Sequence, residues 1–105
     1  MTQTLYDRLG GDRVVRPAID LLFGKALRDE RLRYDPAILR AARRAPAWFA
    51  SALRGRDPVL VRVARRRFDP GQRRALLELW EETLLELGQS PVLARASRAA
   101  LHVAS

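Results

Sequence analysis

Apolar residues recur every three or four positions along most of the chain, which is the spacing of one face of an α-helix. The pattern begins after the double glycine at positions 10 and 11, and three later segments repeat it. Segment 70–87 is the most apolar of them and predicts a central helix. No segment alternates between apolar and polar residues over a useful length. The sequence therefore predicts an all-α fold of about five to six helices, without a sheet.

Helix starts are marked by a capping residue placed directly before a proline, a pair that occurs four times. The side chain of Asp or Ser accepts hydrogen bonds from backbone N–H groups at a helix N-terminus. Proline at the first helical position already has a helical φ and lacks an N–H that would be unpaired there. We therefore predict helices that begin at Pro36, Pro58, Pro70 and Pro91.

Two further prolines fit the helical pattern less well. Pro17 falls one turn into the predicted second helix, which indicates that this helix begins near residues 14–16. Pro46 lies well inside the predicted helix 36–53. It removes one backbone hydrogen bond there and predicts a kink.

The length and composition of the chain limit the number of domains and the kinds of site that it can contain. A chain of 105 residues is expected to form a single domain, 1–105, and 48% apolar with 30% charged residues is ordinary for a globular protein. The absence of cysteine excludes disulfides, thiolate metal sites, iron–sulfur clusters and a cysteine nucleophile. The N-terminus does not resemble a signal peptide, and no apolar stretch approaches ~18 residues. We therefore expect a cytoplasmic protein that does not enter a membrane.

The net charge of +8 comes almost entirely from arginine, since Lys25 is the only lysine among the 20 basic residues. Arginine suits bidentate contact with carboxylate or phosphate, so the charge favours a polyanionic partner, such as nucleic acid or an acidic protein surface. The alternative explanation is that the arginines are ordinary solvated surface cations without a role in binding, which would give the same composition. Two predicted helices carry the candidate patch for an acidic partner, which comprises Arg40, Arg43, Arg44, Arg62, Arg65, Arg66 and Arg67.

Three glutamates form an acidic stripe at four-residue spacing, namely Glu78, Glu82 and Glu86. Like charges at this spacing weaken an isolated helix slightly. A solvated helix face is the ordinary explanation. The sharper hypothesis is that the acidic stripe meets an arginine cluster, either within the fold or across a dimer interface, which would make self-association a second mode of contact.

The order of four short segments resembles the truncated haemoglobins. Residues 5–11 (LYDRLGG) resemble the family's opening, and residues 27–32 (LRDERL) resemble the end of its second helix. Residues 48–55 (WFASALRG) resemble its paired aromatics followed by glycine, and residues 84–88 (LLELG) resemble its closing segment. The resemblance covers nearly the whole chain and implies a two-over-two helical sandwich, which in that family holds haem.

The same resemblance implies that the ligand of the haem iron is lost. Counted back without gaps from Phe68 and Asp69, Val63 falls where the family has its iron-ligating histidine, and an aliphatic side chain cannot ligate iron. The only histidine of the chain, His102, lies near the C-terminus, and we interpret it as a helix-end residue. Tyr6 and Tyr34 remain as possible ligands. Tyr6 belongs to the opening motif and is interpreted as structural, while Tyr34 lies just before a predicted helix start.

The polar groups that stabilise bound gas in the family are also replaced. Phe23 aligns with the family's tyrosine, Ala45 with a position that is often glutamine, and Ala41 with the preceding distal position. We therefore predict an interior without haem or any other cofactor, filled by apolar side chains or holding an apolar small molecule. Its predicted lining, besides Val63, comprises Phe23, Leu27, Ala41, Ala45, Phe49 and Trp80.

These observations favour a non-haem, globin-like module that acts as a regulatory or accessory protein through protein–protein contacts. One alternative is a haem-binding truncated haemoglobin that handles oxygen or nitric oxide with ligation by Tyr34 or His102. Nucleic-acid binding is a second alternative, disfavoured because aromatic residues do not interleave with the arginines. The sequence contains no glycine-rich phosphate loop, no metal-binding cluster and no paired nucleophile and base, so we assign no catalytic or metal-binding residue and nothing points to an enzyme.

Overall fold

The helices of the computed structural model confirm the all-α prediction. The structure describes residues 3–33, 36–54 and 69–104. Within these ranges it contains five helices and no strand. They are α1 (Leu5–Arg8), α2 (Asp12–Ala26), α3 (Pro36–Leu53), α4 (Pro70–Glu86) and α5 (Pro91–Ala104).

Three of the four predicted helix starts are confirmed, because α3, α4 and α5 begin at the prolines named for them. At the start of α4 the Asp69 carboxylate accepts the backbone N–H of Gln72 at 2.8 Å, and the Gln72 side-chain oxygen accepts the N–H of Asp69 at 3.1 Å. This reciprocal capping box pairs two N–H groups that the helix itself cannot satisfy. At the start of α5 the Ser90 hydroxyl accepts the N–H of Leu93 at 3.1 Å. The fourth predicted start, Pro58, lies outside the described residues.

The predicted start of the second helix was wrong. α2 begins at Asp12 after the N-cap residue Gly11, and the N–H of Val15 already donates to the Gly11 carbonyl at 2.9 Å. Pro17 lies inside the helix and is exposed, as is Arg13 one turn earlier. The Arg13 carbonyl, which would have accepted the missing N–H of Pro17, therefore lies on the solvent side of α2. Water can satisfy it there, so the proline does not end the helix.

The core lies where α4 packs against α2 and α5, with α3 covering α2 and α5. The largest fully buried side chain is Trp80, on α4. Apolar residues of α2 and α3 complete this core, and the helix α3 continues through Pro46. Burial of this kind is the main source of stability in a small domain, at roughly 25 cal/mol per Å² of apolar surface.

The acidic stripe of α4 forms ion pairs within the fold. The Glu78 carboxylate lies 2.9 Å from the Arg31 guanidinium. The Lys25 ammonium lies 2.8 Å from the Glu86 carboxylate and 3.9 Å from that of Glu82. In the part of the chain that the structure describes, these contacts come from two separate cations and not from the arginine cluster that the sequence hypothesis named. The cations are Lys25 of α2 and Arg31 beyond it, and neither belongs to the predicted arginine patch.

Candidate functional site

Three aromatic side chains of α3 and α4 meet inside the protein, and we call Trp48, Phe49 and Trp80 the aromatic cluster. The ring of Phe49 lies between the other two. Its centroid is 5.0 Å from that of Trp48, at an interplanar angle of 70°, and 4.7 Å from that of Trp80, at 54°. Edge-to-face and tilted contacts at these separations are the favourable geometries for aromatic pairs. Phe49 is 3% exposed and Trp80 is fully buried.

Trp80 is held in place by a hydrogen bond as well as by packing. Its indole N–H donates to the hydroxyl of Ser97 on α5, with a nitrogen-to-oxygen distance of 2.6 Å. Both residues are fully buried, so this bond satisfies the only polar group of the Trp80 side chain where water cannot. The bond fixes the orientation of the ring and ties α4 to α5.

The predicted pocket lining agrees in part with this arrangement. Phe23, Phe49 and Trp80 are all buried in the core. Leu27 was wrongly placed in the interior, because it is 45% exposed. It is the C-cap residue of α2, directly after the last helical residue. The remaining predicted positions, Ala41, Ala45 and Val63, have side chains outside what the structure describes.

The contact between Phe49 and Trp80 leaves no space for a planar cofactor between their rings. A flat ligand stacked between two rings requires about 7 Å, which is twice a carbon–carbon contact of ~3.5 Å. The observed centroid separation is 4.7 Å. The two rings are therefore in direct contact.

The candidate haem ligands lie elsewhere or are already engaged. His102 is exposed and lines a surface groove between α4 and α5. The hydroxyl of Tyr6 donates a hydrogen bond to the carboxylate of Asp12, and the Arg54 guanidinium lies 4.2 Å from the centre of the Tyr6 ring. These contacts anchor α1 to its neighbours and agree with a structural role for Tyr6. Tyr34 lies outside the described residues.

The groove that His102 lines is strongly basic, and we call it the basic groove. It is an open depression of about 610 Å³ between α4 and α5. Four arginines and one glutamate border it among the residues that the structure describes, which is a formal surplus of three positive charges. Its polar lining comprises Arg73, Arg74, Glu81, Arg95, Arg98 and His102, and its apolar lining comprises Pro70, Leu77 and Ala99.

The charges of the basic groove are only partly paired. Arg98 forms an ion pair with Glu81 at 3.0 Å, and both side chains are half-buried. Arg74 is exposed. Arg95 is exposed and forms no ion pair with any residue in the described part of the chain. The groove therefore presents the guanidinium groups of Arg74 and Arg95 to the solvent.

Sequence reasoning missed the basic groove. The predicted patch was built from arginines that are close in sequence, whereas the groove combines pairs from two helices, Arg73 and Arg74 with Arg95 and Arg98. The spacing within each pair was visible in the sequence. The packing of α4 against α5 that brings the pairs together was not.

The predicted arginine patch itself is only partly visible. Its three α3 members are exposed, and the rest lie outside the described residues, so the structure does not show whether the two groups meet. The exposed members are Arg40, Arg43 and Arg44.

Among the residues that the structure describes, no group of three or more His, Cys, Asp or Glu side chains is arranged to hold a metal ion. None of the described helices is both long and apolar enough to cross a bilayer.

Comparisons of the chain with protein-family models, curated proteins and solved structures found no match. The resemblance to the truncated haemoglobins therefore depends on the four sequence segments that carry it. Any function must be inferred from the aromatic cluster and the basic groove.

Proposed function

We propose that this protein is a haem-free, globin-like module that acts as a regulatory or accessory protein through contacts with other proteins. The observation that carries the proposal is the direct contact between Phe49 and Trp80, whose ring centroids are 4.7 Å apart. A haem pocket needs an open slot lined by apolar residues and an axial ligand. In the aromatic cluster, side chains of the protein fill the space between α3 and α4.

The placement of the candidate ligands supports the same conclusion. His102 lines a surface groove, and the Tyr6 hydroxyl is engaged by Asp12. The resemblance puts Val63 at the family's ligand position, where it cannot bind iron. The chain carries a large excess of arginine, and charged side chains of this kind suit contacts with a partner protein.

Addition of hemin to the purified protein tests the cofactor part of the proposal. We expect no Soret band characteristic of a protein-bound haem and no colour in protein isolated from its native host. A stoichiometric complex with an iron–protein bond visible by resonance Raman spectroscopy would overturn the proposal. It would favour the alternative of a haem protein ligated by Tyr34 or His102.

A substitution at Val63 tests the globin-like register. If the resemblance places this side chain correctly in the interior, Val63→Asp buries an unpaired carboxylate and lowers the free energy of unfolding by about 3 kcal/mol or more. Val92→Asp is the matched control, because Val92 is 73% exposed in the first turn of α5. That control should change stability by less than about 0.5 kcal/mol. Equal melting temperatures for the two variants would contradict the register.

A further inference from the structure

We infer that the basic groove is the surface on which this protein binds an acidic segment of a partner protein. The inference rests on the proposed function, since it names the site and the partner chemistry of the protein–protein contact proposed there. It assigns the contact to α4 and α5, away from the arginines of α3 that the sequence singled out.

Charge complementarity is the first argument. Four arginines face one glutamate around the groove, and that glutamate is already paired with Arg98. Arg74 and Arg95 stand on opposite walls, one on each helix, and both are exposed. A guanidinium group binds a carboxylate through two parallel hydrogen bonds, so a segment lying between the walls can pair with both arginines at once.

The shape of the groove sets the length and character of the segment. Its α4 wall runs from Pro70 to Glu81, which is about 16 Å at a rise of ~1.5 Å per residue. An extended peptide covers that distance with about five residues. Leu77 and Ala99 add apolar surface between the charged walls. The matching segment is therefore a short run of acidic residues with an apolar side chain among them.

Two other occupants fit less well. The groove's lining among the described residues contains no phenylalanine, tyrosine or tryptophan, so the imidazole of His102 is the one ring there on which a nucleic-acid base could stack. A second copy of this chain would have to offer its acidic stripe. Glu78 and Glu86 of that stripe are already paired with Arg31 and Lys25 of their own chain.

Binding of a synthetic peptide to the full chain tests the inference. The probe is a fluorescently labelled peptide of about ten residues in which glutamates alternate with leucines, measured by anisotropy at low salt. A peptide with lysine in place of every glutamate is the charge control, and a short DNA duplex is the nucleic-acid control. We expect the glutamate peptide to bind, with an affinity that falls as salt is added, and the lysine peptide not to bind.

Paired substitutions locate the binding site. Arg74→Gln combined with Arg95→Gln should weaken peptide binding about tenfold, because each lost arginine removes one charge-assisted contact. Arg13→Gln combined with Arg28→Gln is the matched control. It makes the same change in net charge at two exposed residues outside the groove and should weaken binding less than about twofold. Circular dichroism checks that both variants are folded.

Four other results of the binding experiments would overturn the inference. Equal losses in the two double variants would show that only net charge matters. Loss confined to a variant of the α3 arginines, Arg40, Arg43 and Arg44, would place the acidic partner on that patch and leave the proposed function intact. Tighter binding of the duplex, lost in the groove variant, would assign the groove to nucleic acid. Absence of peptide binding removes the groove as a site, whereas haem binding in the hemin experiment removes the proposed function without touching the groove.

Discussion

Replacing Ser97 with alanine removes one hydroxyl group from the centre of the molecule. That hydroxyl accepts the indole N–H of Trp80 at 2.6 Å, and both residues are fully buried. The variant leaves the backbone and the packing of the ring almost unchanged. The indole N–H loses its acceptor at a place that water does not reach.

The expected cost follows from two opposing effects. A buried donor without a partner costs about 1–3 kcal/mol. Alanine is a better helix former than serine in the interior of α5, which returns up to ~0.5 kcal/mol. We therefore expect Ser97→Ala to lower the free energy of unfolding by about 1–2 kcal/mol and the melting temperature by about 5–15 °C.

Urea unfolding followed by far-ultraviolet circular dichroism measures this difference. Ser51→Ala is the matched control, because Ser51 is a half-buried serine inside α3 that should lose nothing comparable. In a Trp80→Phe background the effect of Ser97→Ala should nearly vanish, since no donor remains to be satisfied. A Ser97→Ala protein as stable as the Ser51→Ala control would refute the assignment of this hydrogen bond.

Two further predictions concern charge and backbone conformation. The side-chain hydrogen bond from Arg31 lowers the pKa of both Asp29 and Glu78 below their ordinary values of 3.8 and 4.5. Because each carboxylate has a lower pKa in the folded state than in the unfolded state, its pairing with Arg31 stabilises the fold above pH 4.5, and this contribution is lost as the pH falls through the folded-state values. The variant Arg31→Gln should therefore show a smaller decrease of melting temperature when the pH is lowered. Gly10 has φ +116°, and an added Cβ would lie 2.5 Å from a methyl carbon of the next turn, so Gly10→Ala should lower the unfolding free energy by about 2–4 kcal/mol. Gly24→Ala, inside α2 with no atom within 4 Å of the added Cβ, should instead leave stability unchanged or raise it by up to ~1 kcal/mol in the same thermal scan.

The helices could be predicted because their signals are local. A capping residue and a proline act on the first turn that follows them, as Asp69 does through its bond to the N–H of Gln72. The start of α2 was predicted wrongly for a physical reason that the local sequence does not contain. Whether Pro17 ends a helix depends on whether the carbonyl it leaves unpaired can reach water, and that depends on which face of α2 is buried.

Burial of Phe49 and Trp80 could also be predicted, since each lies on the apolar face of its helix. The residues that these two rings contact could not be predicted. The contact of Phe49 with Trp80 and the bond from Trp80 to Ser97 join different helices, and no spacing within one helix encodes them. The exposure of Leu27 was missed for the same reason, because an apolar residue at a helix end can face either way.

Periodicity and capping chemistry in the chain thus account for where its helices lie and which faces they bury, because both act over one or two turns. The pairing of charges is different, as Arg31 and Glu78 are 47 residues apart in sequence and meet only because α2 packs on α4. The basic groove likewise exists only because α4 lies against α5. Both features arise from helices meeting across the core, where the energy comes from burying surfaces that are distant in sequence.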